Sequence, residues 1–151
     1  MKSAVCLMLT GLAVLMTIAC SNDPENAAVI GVEFEWQAID NGSSENPEIR
    51  LSGVPEGTVR FLVSLVDLIM NGFDHGSGFV DNDGSGIIAR GATKGSYVGP
   101  APHLGTDKHT YEITVRAYDK DGNVIGVGKK AKPFTFTDVR YKEGKKALPR
   151  T

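Results

Sequence analysis

Cysteine is nearly missing from this chain: Cys6 and Cys20 are the only two. Both fall in the first twenty residues, so no disulfide can staple the sequence that follows, and its stability must come from a packed core. A basic excess is lacking as well. The formal net charge is −2, which argues against nucleic acid as the main partner. The three histidines show no His-x-x-x-His metal spacing, and no serine or cysteine nucleophile motif is present. Neither a metal nor a cofactor is therefore expected. Past the first twenty residues no stretch keeps the 3.6-residue helical period over three turns.

What the N-terminus does have is a short positive start, Met1-Lys2-Ser3, an apolar run from Ala4 to Met16, and then Thr17-Ile18-Ala19-Cys20. The run is shorter than the roughly 20 apolar residues that cross a bilayer as a helix. Its order matches a cleavable leader with a small residue before the cut. Ala19-Cys20 resembles the lipobox of bacterial lipoproteins, although Thr17 stands where leucine is commonest. The resemblance implies cleavage before Cys20, lipid on that cysteine, and a place in the cell envelope. It predicts residues 1–19 as signal peptide, 20–28 as lipidated tether, 29–138 as the folded domain and 139–151 as a basic tail. Cleavage would remove Cys6, and lipid attachment would occupy the remaining thiol. Charge is unevenly spread: acids dominate residues 20–56, where Arg50 is the one base, and bases dominate residues 129–151. A solvated surface explains this most simply, with an anionic membrane a weaker partner for the basic end.

Alternation and turn residues dominate the rest, and eighteen glycines punctuate the chain. Ile30, Val32, Phe34 and Trp36 share one face of an expected half-buried strand, with Glu33 and Glu35 on the other. Val54-Pro55-Glu56-Gly57 makes a turn. Val59 to Val66 is apolar on nearly both faces and predicts a central strand covered on each side. Asn71 to Gly86 is expected to be a Gly/Asp-rich loop with at most a short strand at Phe79-Val80. Ile87 to Ala89 and Ser96 to Val98 are further short strands. His109 to Tyr118 is the clearest strand, with His109, Tyr111, Ile113, Val115 and Ala117 on one face. Asp119 to Asn123 turns it into Val124 to Val127; Phe134, Phe136 and Val139 close the core, and a disordered tail is expected from Arg140. Together these predict an all-β, two-sheet sandwich with long loops and little helix.

Asp81-Asn82-Asp83-Gly84-Ser85-Gly86 begins like a calcium loop, but Ala92 stands where the bidentate glutamate belongs. Asp119 to Asn123 has Val124 where the tight-turn glycine is needed. Both read as turns. Asp67, His75, His109 and Tyr111 are more informative. Asp67 ends the central strand, His75 follows on the next loop, and His109 and Tyr111 open the clearest strand on its core side. They predict a pocket with a hydrophobic floor and a rim able to hydrogen-bond an anion. Before them, Tyr97-Val98-Gly99-Pro100-Ala101-Pro102-His103-Leu104-Gly105 is stiffened by two prolines, and its glycines allow close backbone approach.

Tyr97-x-Gly99-Pro100-x-Pro102 followed by His109-x-Tyr111 resembles the signature of the phosphatidylethanolamine-binding protein family, including its bacterial Raf-kinase-inhibitor-like branch. Asn46-Pro47-Glu48-Ile49 and Gly53 to Thr58 resemble that family's early strand and turn. Val66-Asp67 and Asp74-His75-Gly76 resemble its central aspartate and histidine elements. The resemblance runs from about Phe34 to Phe136. It implies a two-sheet β fold with a small anion pocket at one end, and a ligand-binding set of Asp67, His75, Tyr97, Gly99, Pro102, His109 and Tyr111. Departures from the pattern are plain: Leu68-Ile69-Met70-Asn71 replaces Pro-Asp-x-Pro, His103 stands at a usual proline, and a tryptophan beside the pocket histidine is missing.

A non-catalytic binding module for a small anionic or phospholipid-like ligand fits these readings best, anchored to a membrane through Cys20. Two other classes remain open. One is a protein-interaction or inhibitor module acting through the loops from Gly84 to Ser96. The other is a hydrolase built on Asp67, His75, His103 and His109.

Overall fold

The computed structural model describes residues 23–102 and 108–135 and, beyond them, Thr137, Arg140 and Glu143. The leader, Cys20, His103, Phe136 and Val139 lie outside the described residues. In chain order the elements are β1 (Ala28–Val29), β2 (Gly31–Phe34), a single 3-10 turn (Ala38–Asp40), β3 (Ile49–Ser52), β4 (Arg60–Asp67), β5 (Phe73–Asp81), β6 (Ile87–Ile88), β7 (Lys94–Gly95), β8 (His109–Tyr118) and β9 (Val124–Phe134). They form a six-stranded sheet, β1-β9-β8-β4-β5-β7, and a three-stranded sheet, β2-β3-β6. The expected all-β, two-sheet architecture is what the chain adopts.

Period-2 patterning decides which faces meet. On the large sheet Phe61, Val63 and Leu65 of β4 and Tyr111, Ile113, Val115 and Ala117 of β8 are buried. On the small sheet Ile30, Val32, Phe34, Ile49 and Ile88 are buried against them, while Glu33 and Glu35 face solvent. Burying side chains of this size is worth roughly 1.5–3 kcal/mol each, so this interface dominates stability. Trp36 closes one end, edge-on to Phe34 at 4.8 Å, Phe134 at 5.9 Å and Tyr111 at 6.3 Å. β4 lies in the sheet interior between β8 and β5, as its apolar run predicts. Its second face is only half buried at Leu62, Ser64 and Val66, so it is not covered equally on both sides.

Glycines let the sheets approach. A Cβ at Gly128 would come within 2.6 Å of Val32 Cγ2 and collide with the Ile30 carbonyl. One at Gly126 would lie 2.9 Å from both Ile30 and Pro55 side-chain atoms. β9 therefore continues well past the expected Val127, to Phe134, with bare backbone beneath β2.

Several expectations need correction. The loop expected over Asn71 to Gly86 is largely strand β5, nine residues long. Its glycines are there because neighbouring chain crosses tightly: a Cβ at Gly78 would lie 2.7 Å from Thr93 Cβ, and one at Gly76 would strike the Ser96 carbonyl. Composition suggested a turn where close backbone contact was the cause. The short strand expected at Ser96 to Val98 lies instead at Lys94–Gly95. The folded part starts before residue 29, since Ala28–Val29 pairs in parallel with Gly126 and Val127. Nor does order end at Arg140: Thr137, Arg140 and Glu143 are helical, and the Glu143 carboxylate accepts the Ala38 N–H at 2.8 Å. The two calcium-like stretches are turns. Asp83 accepts from Ser85 N at 2.9 Å, and Asp119 from Asn123 N at 2.8 Å.

Asn46 is a fully buried staple between the segment before β3 and the loop after β6. Its Nδ2 donates to Pro47 O at 2.7 Å and Ala89 O at 3.0 Å, and its Oδ1 accepts Thr93 N at 3.0 Å. Replacing it by alanine strands those buried partners, and Asn46→Ala is expected to lower unfolding free energy in urea by at least about 2 kcal/mol. Gly128→Ala should lose about 1–3 kcal/mol in the same measurement, because the added methyl has no space between the sheets.

Candidate functional site

The site grows from the last residue of β4. Register places Asp67 directly opposite Tyr111 on β8 and Phe73 on β5. Alternation along β4 points Asp67 to the same side as Phe61, Val63 and Leu65, so a carboxylate is buried at the end of an apolar row, 2% exposed. The turn that follows satisfies part of its demand. Asp67 Oδ1 accepts Ile69 N at 2.9 Å and Met70 N at 3.2 Å. Asn71 and Gly72, both at positive φ, complete the reversal into β5. Asn tolerates that conformation better than other side chains.

The other oxygen, Oδ2, is 2.6 Å from His109 Nδ1. Burial works against Asp67's charge, but the His109 hydrogen bond and the two turn N–H groups outweigh it, and its pKa is lowered. An ionised carboxylate only accepts, so Nδ1 carries the proton and Nε2 is the nitrogen left for a ligand. Tyr111, two residues on, is fully buried and stacks on His109 with centroids 6.1 Å apart. Its hydroxyl has no well-formed protein partner. Burial first, and then the Asp67 charge, push the phenol's pKa up, so it stays neutral and can donate. His75 is edge-on to Tyr111 at 5.3 Å and to Phe73 at 5.1 Å.

These groups meet at a cavity of about 680 Å³ whose lining includes Asp67, Asp74, His75, Ser96 and His109 together with apolar Met70, Phe73, Val98 and Ala101. Asp67 and His109 lie deep, so the expected apolar floor carries a carboxylate and an imidazole. Asp74 and Ser96 are exposed at the mouth, beside Met70, Phe73 and Val98, which are 54%, 59% and 44% exposed. Within the exposed Leu68-Ile69-Met70 turn, Met70 supplies an apolar side chain to the cavity border.

Four of the expected binding residues converge here: Asp67, His75 and His109 line the cavity, with Tyr111 packed against both imidazoles. The other three do not line it. Ser96 and Val98 face the cavity, so alternation turns Tyr97 into the core, beside Asp40 and Arg90, whose own ion pair it adjoins. Gly99 serves packing: its N–H donates to Ser43 O at 2.7 Å, and a Cβ there would strike the Asp40 carbonyl. Pro102 is half buried outside the lining. Sequence reasoning passed over Met70, Phe73, Asp74, Ser96 and Val98. The signal for Phe73 was its alternation with His75, hidden because this strand was read as loop. Among the described residues no cluster of three or more His, Cys, Asp or Glu is placed to hold a metal.

Linkage gives the site a pH signature. Because Asp67's carboxyl is lowered in the fold, its stabilisation is complete above its unfolded pKa near 4. It is lost as pH falls through the lower folded value. Thermal unfolding of wild type should therefore drop more steeply below about pH 4 than that of Asp67→Asn; parallel pH profiles would contradict the assignment.

No family model and no curated protein matches the sequence. Solved structures do. The crystal structure of Escherichia coli YbcL, described as a new member of the mammalian phosphatidylethanolamine-binding protein family, aligns with 70% of this chain and 98% of its own, at 16% identity and TM-score 0.55. A Chlamydia trachomatis homologue of phosphatidylethanolamine-binding proteins aligns with 72% of this chain and 97% of its own, at 16% identity and TM-score 0.52. About seven-tenths of the chain is thus arranged in the fold of the phosphatidylethanolamine-binding proteins.

Proposed function

We propose that this chain is a non-catalytic binding module whose cavity takes a small anion, free or as the headgroup of a phospholipid-like molecule. The observation that carries the reading is the Asp67–His109 pair at the cavity base, 2.6 Å apart. Asp67 fixes the ring through Nδ1, so a ligand anion can accept a charge-assisted hydrogen bond from Nε2 of the imidazolium. Tyr111, with a neutral and unpartnered hydroxyl, supplies a second donor. His75 borders the other side, and Met70, Phe73 and Val98 give the mouth apolar surface on which a ligand's uncharged part can rest. The fold shared with YbcL supports a binding role. The lipobox-like Ala19-Cys20 supports placing the domain on a lipid anchor in the cell envelope.

Calorimetric titration with phosphorylethanolamine should show saturable binding to the wild-type protein. His109→Ala should weaken binding at least about tenfold, and Tyr111→Phe about three- to tenfold, the loss of one hydrogen bond. Equal affinities for wild type and His109→Ala, or no heat in either, would remove the reading.

A further inference from the structure

Asp23 already belongs to the folded body. Arg116 of β8 grips both oxygens of its carboxylate, with Nη2 at 3.1 Å from Oδ2, and Lys129 Nζ lies 3.7 Å away on β9. The Arg116 hydrogen bond holds the Asp23 carboxyl below its ordinary pKa. Ala27 N then donates to Pro24 O at 3.0 Å, Ala28–Val29 pairs with β9, and Ile30 N donates to Val127 O at 3.0 Å. Arg116 and Lys129 alternate away from the core-facing Val115, Ala117 and Gly128, so Asp23 is clamped on the outer face of the large sheet. Only Ser21 and Asn22 separate it from Cys20. The expected tether over residues 20–28 is thereby reduced to two residues.

We propose that the lipid at Cys20 seats the domain flush on a bilayer through the outer β8–β9 face around Asp23, as a rigid mount rather than a leash. This rests on the reading of Cys20 as the lipid-bearing residue. Three residue steps span at most about 10 Å, while the ten residues of β8 extend about 33 Å. The domain therefore cannot swing its clamped face clear of the surface while Asp23 holds. Two cations meet one carboxylate at this point, and Lys129, its side chain 44% exposed, remains able to meet anionic headgroups. His109 lies seven residues along β8 from Arg116, about 23 Å away. The ligand cavity is then held at a fixed offset from the anchor, along the strand direction.

The test uses full-length protein purified with its lipid and reconstituted in phosphatidylethanolamine/phosphatidylglycerol vesicles carrying a headgroup acceptor dye. A donor is attached either at Ala131→Cys, on the Lys129 side of β9, or at Asp83→Cys, in the turn after β5. Energy transfer from position 131 should exceed that from 83 by at least about twofold. Inserting ten Gly/Ser residues between Asn22 and Asp23, which adds roughly 18 Å of reach, should abolish the difference. Equal transfer from both sites in the uninserted protein would overturn the mount. Labelled palmitate tests the anchor separately, since no incorporation at Cys20 sinks that reading whatever the transfer shows. Amide exchange at Ile30, whose N–H is held by Val127 O, slow in wild type and faster in Asp23→Asn, reports the clamp itself; unchanged exchange would refute it.

Discussion

A carboxylate placed at the end of a hydrophobic strand face cannot be left alone. Removing an ion from water costs several kcal/mol unless partners replace the lost hydration. At Asp67 that demand organises everything near it. The chain after β4 turns tightly enough to bring two N–H groups onto one oxygen, and β8 begins with the histidine that reaches the other. The same turn carries Met70 and leads to Phe73 at the mouth of the cavity. Meeting the electrostatic requirement of one residue therefore produces a fixed ring nitrogen, an apolar border and a concave site between them. Orientation of His109 and stability of the β4–β5 turn are two results of a single interaction.

The rest of the body is governed by how closely two sheets can lie. Gly126 and Gly128 leave β9 without side chains where Ile30 and Val32 press on it, so the small sheet can rest on the large one and bury its full apolar face. Asn46 does comparable work at the other side, taking three backbone partners just beyond the end of the β3–β6 ladder. The Lys130–Glu33 and Lys132–Glu35 pairs also cross between β9 and the β2 segment. Being exposed, they add little energy and mainly accompany a register already set by packing.

Likeness to solved structures at 16% identity is a likeness of fold. Within that fold this chain sets Asp67, His75 and His109 around one cavity, with Tyr111 packed against both imidazoles. The turn after Asp67 is apolar and exposed at Leu68, Ile69 and Met70. It serves the Asp67–His109 pair through backbone N–H groups, which any residue except proline can provide.

By itself the sequence determined the all-β class, the extent of β8, the inward faces of β2, β4 and β8, and the grouping of Asp67, His75, His109 and Tyr111. Each was legible because alternation is a local property, set by a two-residue period that neighbouring residues reveal. Tertiary structure alone decided the identity of β5, the roles of Tyr97 and Gly99, the staple at Asn46 and the clamp on Asp23. Glycine in a turn and glycine under a crossing strand look alike in one dimension, and the same holds for a tyrosine that lines a cavity and one facing away from it. An acid in an N-terminal segment gives no sign of the arginine that will hold it 93 positions later. Those outcomes depend on which distant segment arrives at each residue, and that is fixed only when the sheets close.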